Sequence, residues 1–136
     1  MSRAPIPDPA LFSSSRTDHL RVTDVDFQGH VNNTVFALFY ASARYDFLGA
    51  HIRPHLEGGA KLVVAATTIN YTAEMHYGAP VETITRIASL GRTSLQMEQI
   101  ILQDGRICSH STTTMVHRDA VGAVAWPEPV RAFVAA

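Results

Sequence analysis

Asp24, Asp26, Gln28, His30, Asn32 and Asn33 are crowded into one ten-residue stretch, D-V-D-F-Q-G-H-V-N-N. Two carboxylates, an imidazole and three amides at this spacing offer a base or nucleophile beside hydrogen-bond donors. The stretch runs directly into T-V-F-A-L-F-Y-A-S-A-R-Y-D-F-L-G. Asn32 or Asn33 suits the N-cap of a helix there, because a side-chain amide oxygen accepts from first-turn N–H groups. Gly49 suits the residue after its end, where positive φ carries no Cβ penalty. Val35, Phe36, Leu38, Phe39, Tyr40, Ala43, Phe47 and Leu48 cover almost the whole circumference, which predicts a buried helix. Its N-terminus, with free N–H groups and partial positive charge, then points at the polar cluster and favours a developing anion.

The rest of the chain must hold that helix. At 136 residues it is one domain with room for a core. Residues 1–15, rich in Pro and Ser, predict an extended arm. The domain is expected over 16–120 and a C-terminal tail over 121–136. Alternation of Leu20 and Val22 predicts a short strand over 19–23. After a loop at 51–59 the period changes to two. Strands are expected over 62–72, 81–90, 95–103 and 106–117. Asp104-Gly105 is a two-residue hairpin signal, since both positions of that turn need positive φ. Trp126-Pro127-Glu128-Pro129 is expected to end regular structure. Short connections predict antiparallel neighbours, hence a two-layer α+β domain with one helix and one sheet. So apolar a helix requires the sheet to curl around it, or a second subunit to cover it.

Composition excludes several classes. A net charge of −1 gives no bulk attraction to nucleic acid or to an anionic membrane. The single Cys108 excludes an internal disulfide framework and fits a reducing compartment. The N-terminus lacks an apolar signal core, and the helix is too short and too interrupted by Ser42, Arg44 and Asp46 to span a bilayer. A cytoplasmic protein is expected. No Gly-rich phosphate loop, G-x-S-x-G elbow or basic–aromatic run occurs. His51 and His55 are four apart, but Pro54 between them spoils the helical spacing a metal pair needs, so no metal site is expected.

The element order, D-V-D-F-Q-G-H-V-N-N and the later A-R-Y-D-F-L together resemble the hotdog-fold acyl-CoA thioesterases of the 4-hydroxybenzoyl-CoA thioesterase type. The resemblance covers about residues 20–118. Members look like D-x-D-x-x-G-h-h-x-x-x-x-h-h-x-h-h-E-x-A-R, and H-V-N-N is common among them and in plant acyl-carrier-protein thioesterases. The resemblance implies a curled antiparallel sheet of about five strands around one long helix, and a homodimer or homotetramer. It implies Asp26 as the catalytic carboxylate, with the backbone N–H near Asn33 polarising the thioester carbonyl. Gln28 and His30 fall where the plant enzymes have an Asn and a His. Gly91-Arg92-Thr93-Ser94 looks like the family's turn between two strands. One departure stands out: Ala41 occupies the helix position, three before Arg44, where many members carry an acid.

A thioester asks little of its enzyme, because a thiol with pKa ~8.5 leaves without strong acid assistance. It needs a nucleophile or base, and donors aimed at the carbonyl oxygen. Asp26 can attack directly or activate water; otherwise it is a loop or capping acid. His30 either holds the carbonyl or a water, or bonds the turn, and Gln28 is open in the same way. Asp24 suits a structural bond to turn amides. Arg92, Thr93 and Ser94 suit a CoA phosphate as well as they suit an ordinary solvated turn. Arg44 can meet a phosphate, an acid or the helix end. Cys108 reads as a buried inert thiol. Val35, Phe36 and Phe39 would wall an acyl group entering between helix and sheet, which favours a medium aliphatic or aromatic chain. No cofactor is expected, a coenzyme A thioester being the substrate. The alternatives are a non-catalytic acyl-thioester binder on the same fold, a thioesterase acting on a carrier protein, or a hotdog hydratase. A hydratase would place its His five residues after the Asp; here the spacing is four.

Overall fold

The computed structural model describes residues 4–136. Strand β1 (Ser14–Asp18) precedes helix α1 (Asn33–His51), followed by β2 (Lys61–Tyr71), β3 (Val81–Leu90), β4 (Ser94–Gln103), β5 (Arg106–Arg118) and helix α2 (Glu128–Ala135). All strand pairs are antiparallel, in the order β1-β3-β4-β5-β2. The sheet curls around α1, which is the α+β hotdog architecture.

Two apolar clusters hold α1 on the sheet. Its first half, Val35, Phe36, Phe39 and Tyr40, packs with Met75, Val81, Ile101 and Cys108. Its second half, Phe47 and Leu48 with Ile52, packs with Leu95, Met97, Met115, Trp126 and Val130. Between them Gln99 of β4 is fully buried and fully used. Its Nε2 donates to the Tyr40 carbonyl and to Thr85 Oγ1, and its Oε1 accepts from Arg44. A buried amide with every group paired fixes where the helix sits along the strand. Arg44 thus bonds Gln99 and, among the described residues, pairs with no acid.

Several expectations are corrected. The strand expected over 19–23 is not one. Asp24 accepts from the Arg21 N–H at 2.8 Å and from its guanidinium, and the chain winds into a 3-10 turn, Val22–Asp24. Leu20 turns inward while Val22 stays 72% exposed. The first strand lies earlier, in the polar S-S-R-T-D. It carries no apolar signal and is held by pairing with β3 and by Arg16 bonding Asp18 and Asp46. Gly49 does not end α1. The helix continues to His51, and the Ile52 N–H still reaches the Leu48 carbonyl, because Ile52 is drawn fully into the core. The helix is not buried all round: Leu38 and Tyr45 are exposed on the face away from the sheet. Regular structure does not end at Pro129. The prolines start α2, where a missing N–H costs nothing, and Val130 is fully buried. Asp104 (φ 54°) and Gly105 (φ 74°) both take the positive φ expected of the β4–β5 turn.

One topological difference bears on the site. β2 and β3 are consecutive, but β2 pairs with β5 at one edge while β3 sits beyond β4. The connection, residues 72–80, therefore crosses the end of the sheet instead of closing a hairpin. The Thr72 and Ala73 N–H groups donate to the Cys108 carbonyl, and the Thr72 hydroxyl donates to the Ile107 carbonyl. Gln103 takes the His76 N–H on Oε1 and donates Nε2 to the His76 and Ala79 carbonyls.

Candidate active site

The turn 26–30 is built by Asp26. Its Oδ1 accepts the N–H groups of Gln28 and His30, each at 2.9 Å. Its own N–H donates to the His30 carbonyl, and its carbonyl accepts from Gly29. Gly29 takes φ 83°, which the turn requires. Both side-chain bonds fall on one oxygen, so the other faces solvent without a protein partner among the described residues. Asp24 behind it is buried, and the Arg21 guanidinium and N–H hold its carboxyl below the usual range. This is the structural role expected of it.

Asn32 caps α1. Its Oδ1 accepts from the Thr34 N–H and hydroxyl, and its carbonyl accepts from the Val35 N–H. The Asn33 N–H has no partner among the described residues. It is a free donor on the first residue of a 19-residue helix, at the positive end of the dipole.

A cleft of about 300 Å³ opens beside it, lined by His30, Val31, Asn33, Phe36, Tyr71, Ala73, Glu74 and Met75. Phe36 and Tyr71 meet edge to face at 5.1 Å and form its aromatic end. The crossing segment 72–80 supplies the opposite wall, with Met75 seated in the core. His30 Nε2 stands 3.5 Å from Glu74 Oε1.

The structure thus gathers His30, Asn33 and Phe36 around one cleft, with Asp26 bonded to His30 on the adjoining turn. Gln28 is exposed on that turn, and its side chain makes no bond among the described residues. Val35 and Phe39 are core residues and do not line the cleft. Arg92, Thr93 and Ser94 lie at the other end of the helix, beside Leu95 and Trp126. A helix of 19 residues is about 28 Å long, so they do not meet Asp26 within one chain. The carbonyls of that turn already accept from His117, Trp126 and Arg131. His51 stacks on Phe133 at 4.8 Å, and His55 lies on the following 3-10 turn. Burial pushes the Cys108 thiol up, as an inert buried thiol requires. Sequence reasoning missed Tyr71, Glu74 and Met75. Only the crossing connection brings them here, and nothing local in the chain signals it.

A long helix wrapped by a curled five-stranded antiparallel sheet is the hotdog fold. The chain belongs to the thioesterase-like superfamily, whose family model matches residues 20–134. A thioesterase from Thermus thermophilus, complexed with coenzyme A and Zn, is 28% identical with a TM-score of 0.81, covering 92% of this chain and 99% of that one. A thioesterase superfamily protein from Jannaschia is 28% identical with a TM-score of 0.81, covering 93% and 83%. A predicted thioesterase from Bacillus stearothermophilus, 23% identical with a TM-score of 0.78 over 90% and 93%, shares the fold. No curated protein matches the chain. None of the described helices is long and apolar enough to cross a membrane.

Proposed function

We propose that the protein is an acyl-CoA thioesterase in which Asp26 is the nucleophile or general base and the Asn33 N–H is the oxyanion donor. The observation that carries this is the unpaired Asn33 N–H beside a cleft that His30 also lines, with His30 bonded to an Asp26 carboxylate that keeps a free oxygen. A single well-aimed donor of this kind is typically worth ~3 kcal/mol in the transition state. The thiol leaves unassisted; His30, which lines the cleft, flanks the reacting carbonyl or the water, and Gln28 reaches them only from the solvent side of the turn. The coenzyme A complex of the Thermus thermophilus thioesterase favours CoA as the thiol carrier. No further cofactor is invoked. The charged CoA stays toward solvent, and the acyl group enters the cleft toward Phe36 and Tyr71. That end suits a medium aliphatic or aromatic chain.

The test is thiol release from a panel of acyl-CoA esters, repeated with the acyl groups on a carrier protein. Asp26→Asn keeps an oxygen to accept from Gln28 and His30, so the turn survives while turnover falls by orders of magnitude, about 10²-fold or more. A variant as fast as the parent on its best substrate overturns the assignment of Asp26.

The same reading includes a dimer joined edge to edge, or a tetramer of two such dimers. β2 is an 11-residue edge strand with Val63 and Val64 exposed. An uncovered strand of this length invites pairing. Phe27, at the tip of the turn that carries Asp26, is 97% exposed, and the outer face of α1 presents Leu38 and Tyr45. A second copy covers such groups, sets each site at a subunit boundary, and offers a route by which Arg92, Thr93 and Ser94 reach a CoA phosphate. Light scattering at micromolar concentration should give twice or four times the chain mass; a monodisperse monomer excludes this arrangement.

A further inference from the structure

We infer that Glu74 is a positioning residue that holds the His30 imidazole with its Nε2–H turned toward the segment 72–80. The inference rests on the thioesterase reading for its kinetic consequence, but not for its geometry. The Glu74 backbone is gripped on both sides. Its carbonyl accepts from Arg106 at 3.1 Å and lies 3.7 Å from Cys108 Sγ. Ala73 before it is bonded to Cys108, and Met75 after it is 2% exposed in the core. Two residues further on the Gln103 amide clamps His76. With both neighbours committed inward, the Glu74 side chain projects over the cleft it lines, where His30 stands 3.5 Å away.

At 3.5 Å, between two side chains that are both more than half exposed, the contact is an electrostatic approach rather than a formed hydrogen bond, and a carboxylate oxygen favours a proton over a lone pair on the ring nitrogen that faces it. In neutral His30 the lone pair is then on Nδ1. The His30 backbone is fixed independently, its N–H on Asp26 and its carbonyl accepting from Asp26. Glu74 therefore acts on the two freedoms the turn leaves open, which way the ring faces and which nitrogen can take a proton. Glu74 itself touches neither the thioester nor the attacking group. Its position on a crossing segment also ties the ring to the β4–β5 hairpin through Gln103 and Arg106.

The test uses Glu74→Gln, Glu74→Ala, His30→Ala and the double variant Glu74→Ala/His30→Ala. Long-range proton–nitrogen correlation spectra of the imidazoles, recorded without substrate, should show His30 in the Nε2–H form in the parent and in Glu74→Gln. The Glu74→Ala variant should show a mixture of tautomers. On the best acyl-CoA of the panel, Glu74→Ala should lower kcat about tenfold with KM within about twofold. Glu74→Gln, which keeps an acceptor oxygen, should recover most of that loss. Added to His30→Ala, the Glu74→Ala change should cost nothing further. Unchanged tautomer populations in Glu74→Ala, or equal and additive losses in the His30→Ala background, overturn the inference. Because the spectra need no turnover, a chain that hydrolyses no thioester fails the thioesterase reading and leaves this assignment to the spectra.

Discussion

Gln103→Leu tests whether one amide holds the wall of the candidate active site. The residue is 3% exposed and makes three bonds to the segment 72–80: one received from the His76 N–H at 2.9 Å, and two donated, to the His76 carbonyl at 2.8 Å and the Ala79 carbonyl at 3.0 Å. Leucine nearly preserves the volume and removes all three. At about 1 kcal/mol each, the loss is about 3 kcal/mol. At roughly 3 °C per kcal/mol for a chain of this size, the melting temperature should fall by about 10 °C. Hydrogen exchange should speed at His76 while β3 and β4 stay protected, and kcat should fall because Ala73, Glu74 and Met75 line the cleft. Gln103→Glu adds a signed check. Its carboxylate would face two carbonyl oxygens in a buried place, so its folded-state pKa is raised above the unfolded value of ~4.3. Such a variant is relatively stable below the unfolded value and loses that stability as pH rises through the folded one. It should therefore lag the parent more at pH 8 than at pH 5. A Gln103→Leu melt within ~2 °C of the parent, with His76 equally protected, refutes the reasoning.

Two other perturbations follow from the same geometry. Phe36 is 4% exposed yet lines the cleft, so Phe36→Ala should cost about 3–5 kcal/mol and also shift preference toward bulkier acyl groups. If relative rates across the acyl panel do not move, Phe36 is core alone and the acyl path is wrong. Asp24, whose carboxyl is held low by Arg21, contributes stability above its unfolded value of ~3.9 and loses it as pH falls through the folded one. Asp24→Asn should flatten the fall in melting temperature below about pH 4; an unchanged acid slope would place that dependence elsewhere.

The elements with strong local signals could be read in the chain. The Asn32 cap, the apolar stripe of α1, the Asp104-Gly105 turn and the bounds of β3 follow from side-chain chemistry within a few residues. β1 could not be read, since S-S-R-T-D is an edge strand whose stability comes from β3 and from Arg16. Nor could the end of α1, because Gly49 is a plausible stop and only the burial of Ile52 overrules it. The nearest-neighbour rule failed at 72–80, where the chain crosses the sheet. The half of the candidate site proposed to do the chemistry, Asp26 to Asn33, is contiguous and therefore visible. The other half, Tyr71 to Met75, is set by tertiary packing and is silent in sequence.

The pairing of β1 with β3 has a kinetic meaning. Ser14 lies opposite Thr85, and Asp18 opposite Val81, whereas β3, β4 and β5 are joined by turns of a few residues. Closing the long loop between β1 and β3 has an entropic cost that short hairpins avoid, so contacts of high sequence separation form late. The turn that carries Asp26 lies inside that loop, and its cleft wall lies on the crossing that joins β2 to β3. A refolding chain should regain its hairpin-derived β signal before any ability to bind or turn over a thioester. Activity is then the slowest reporter of the native state, and a stopped-flow spectroscopic signal alone would announce folding too early.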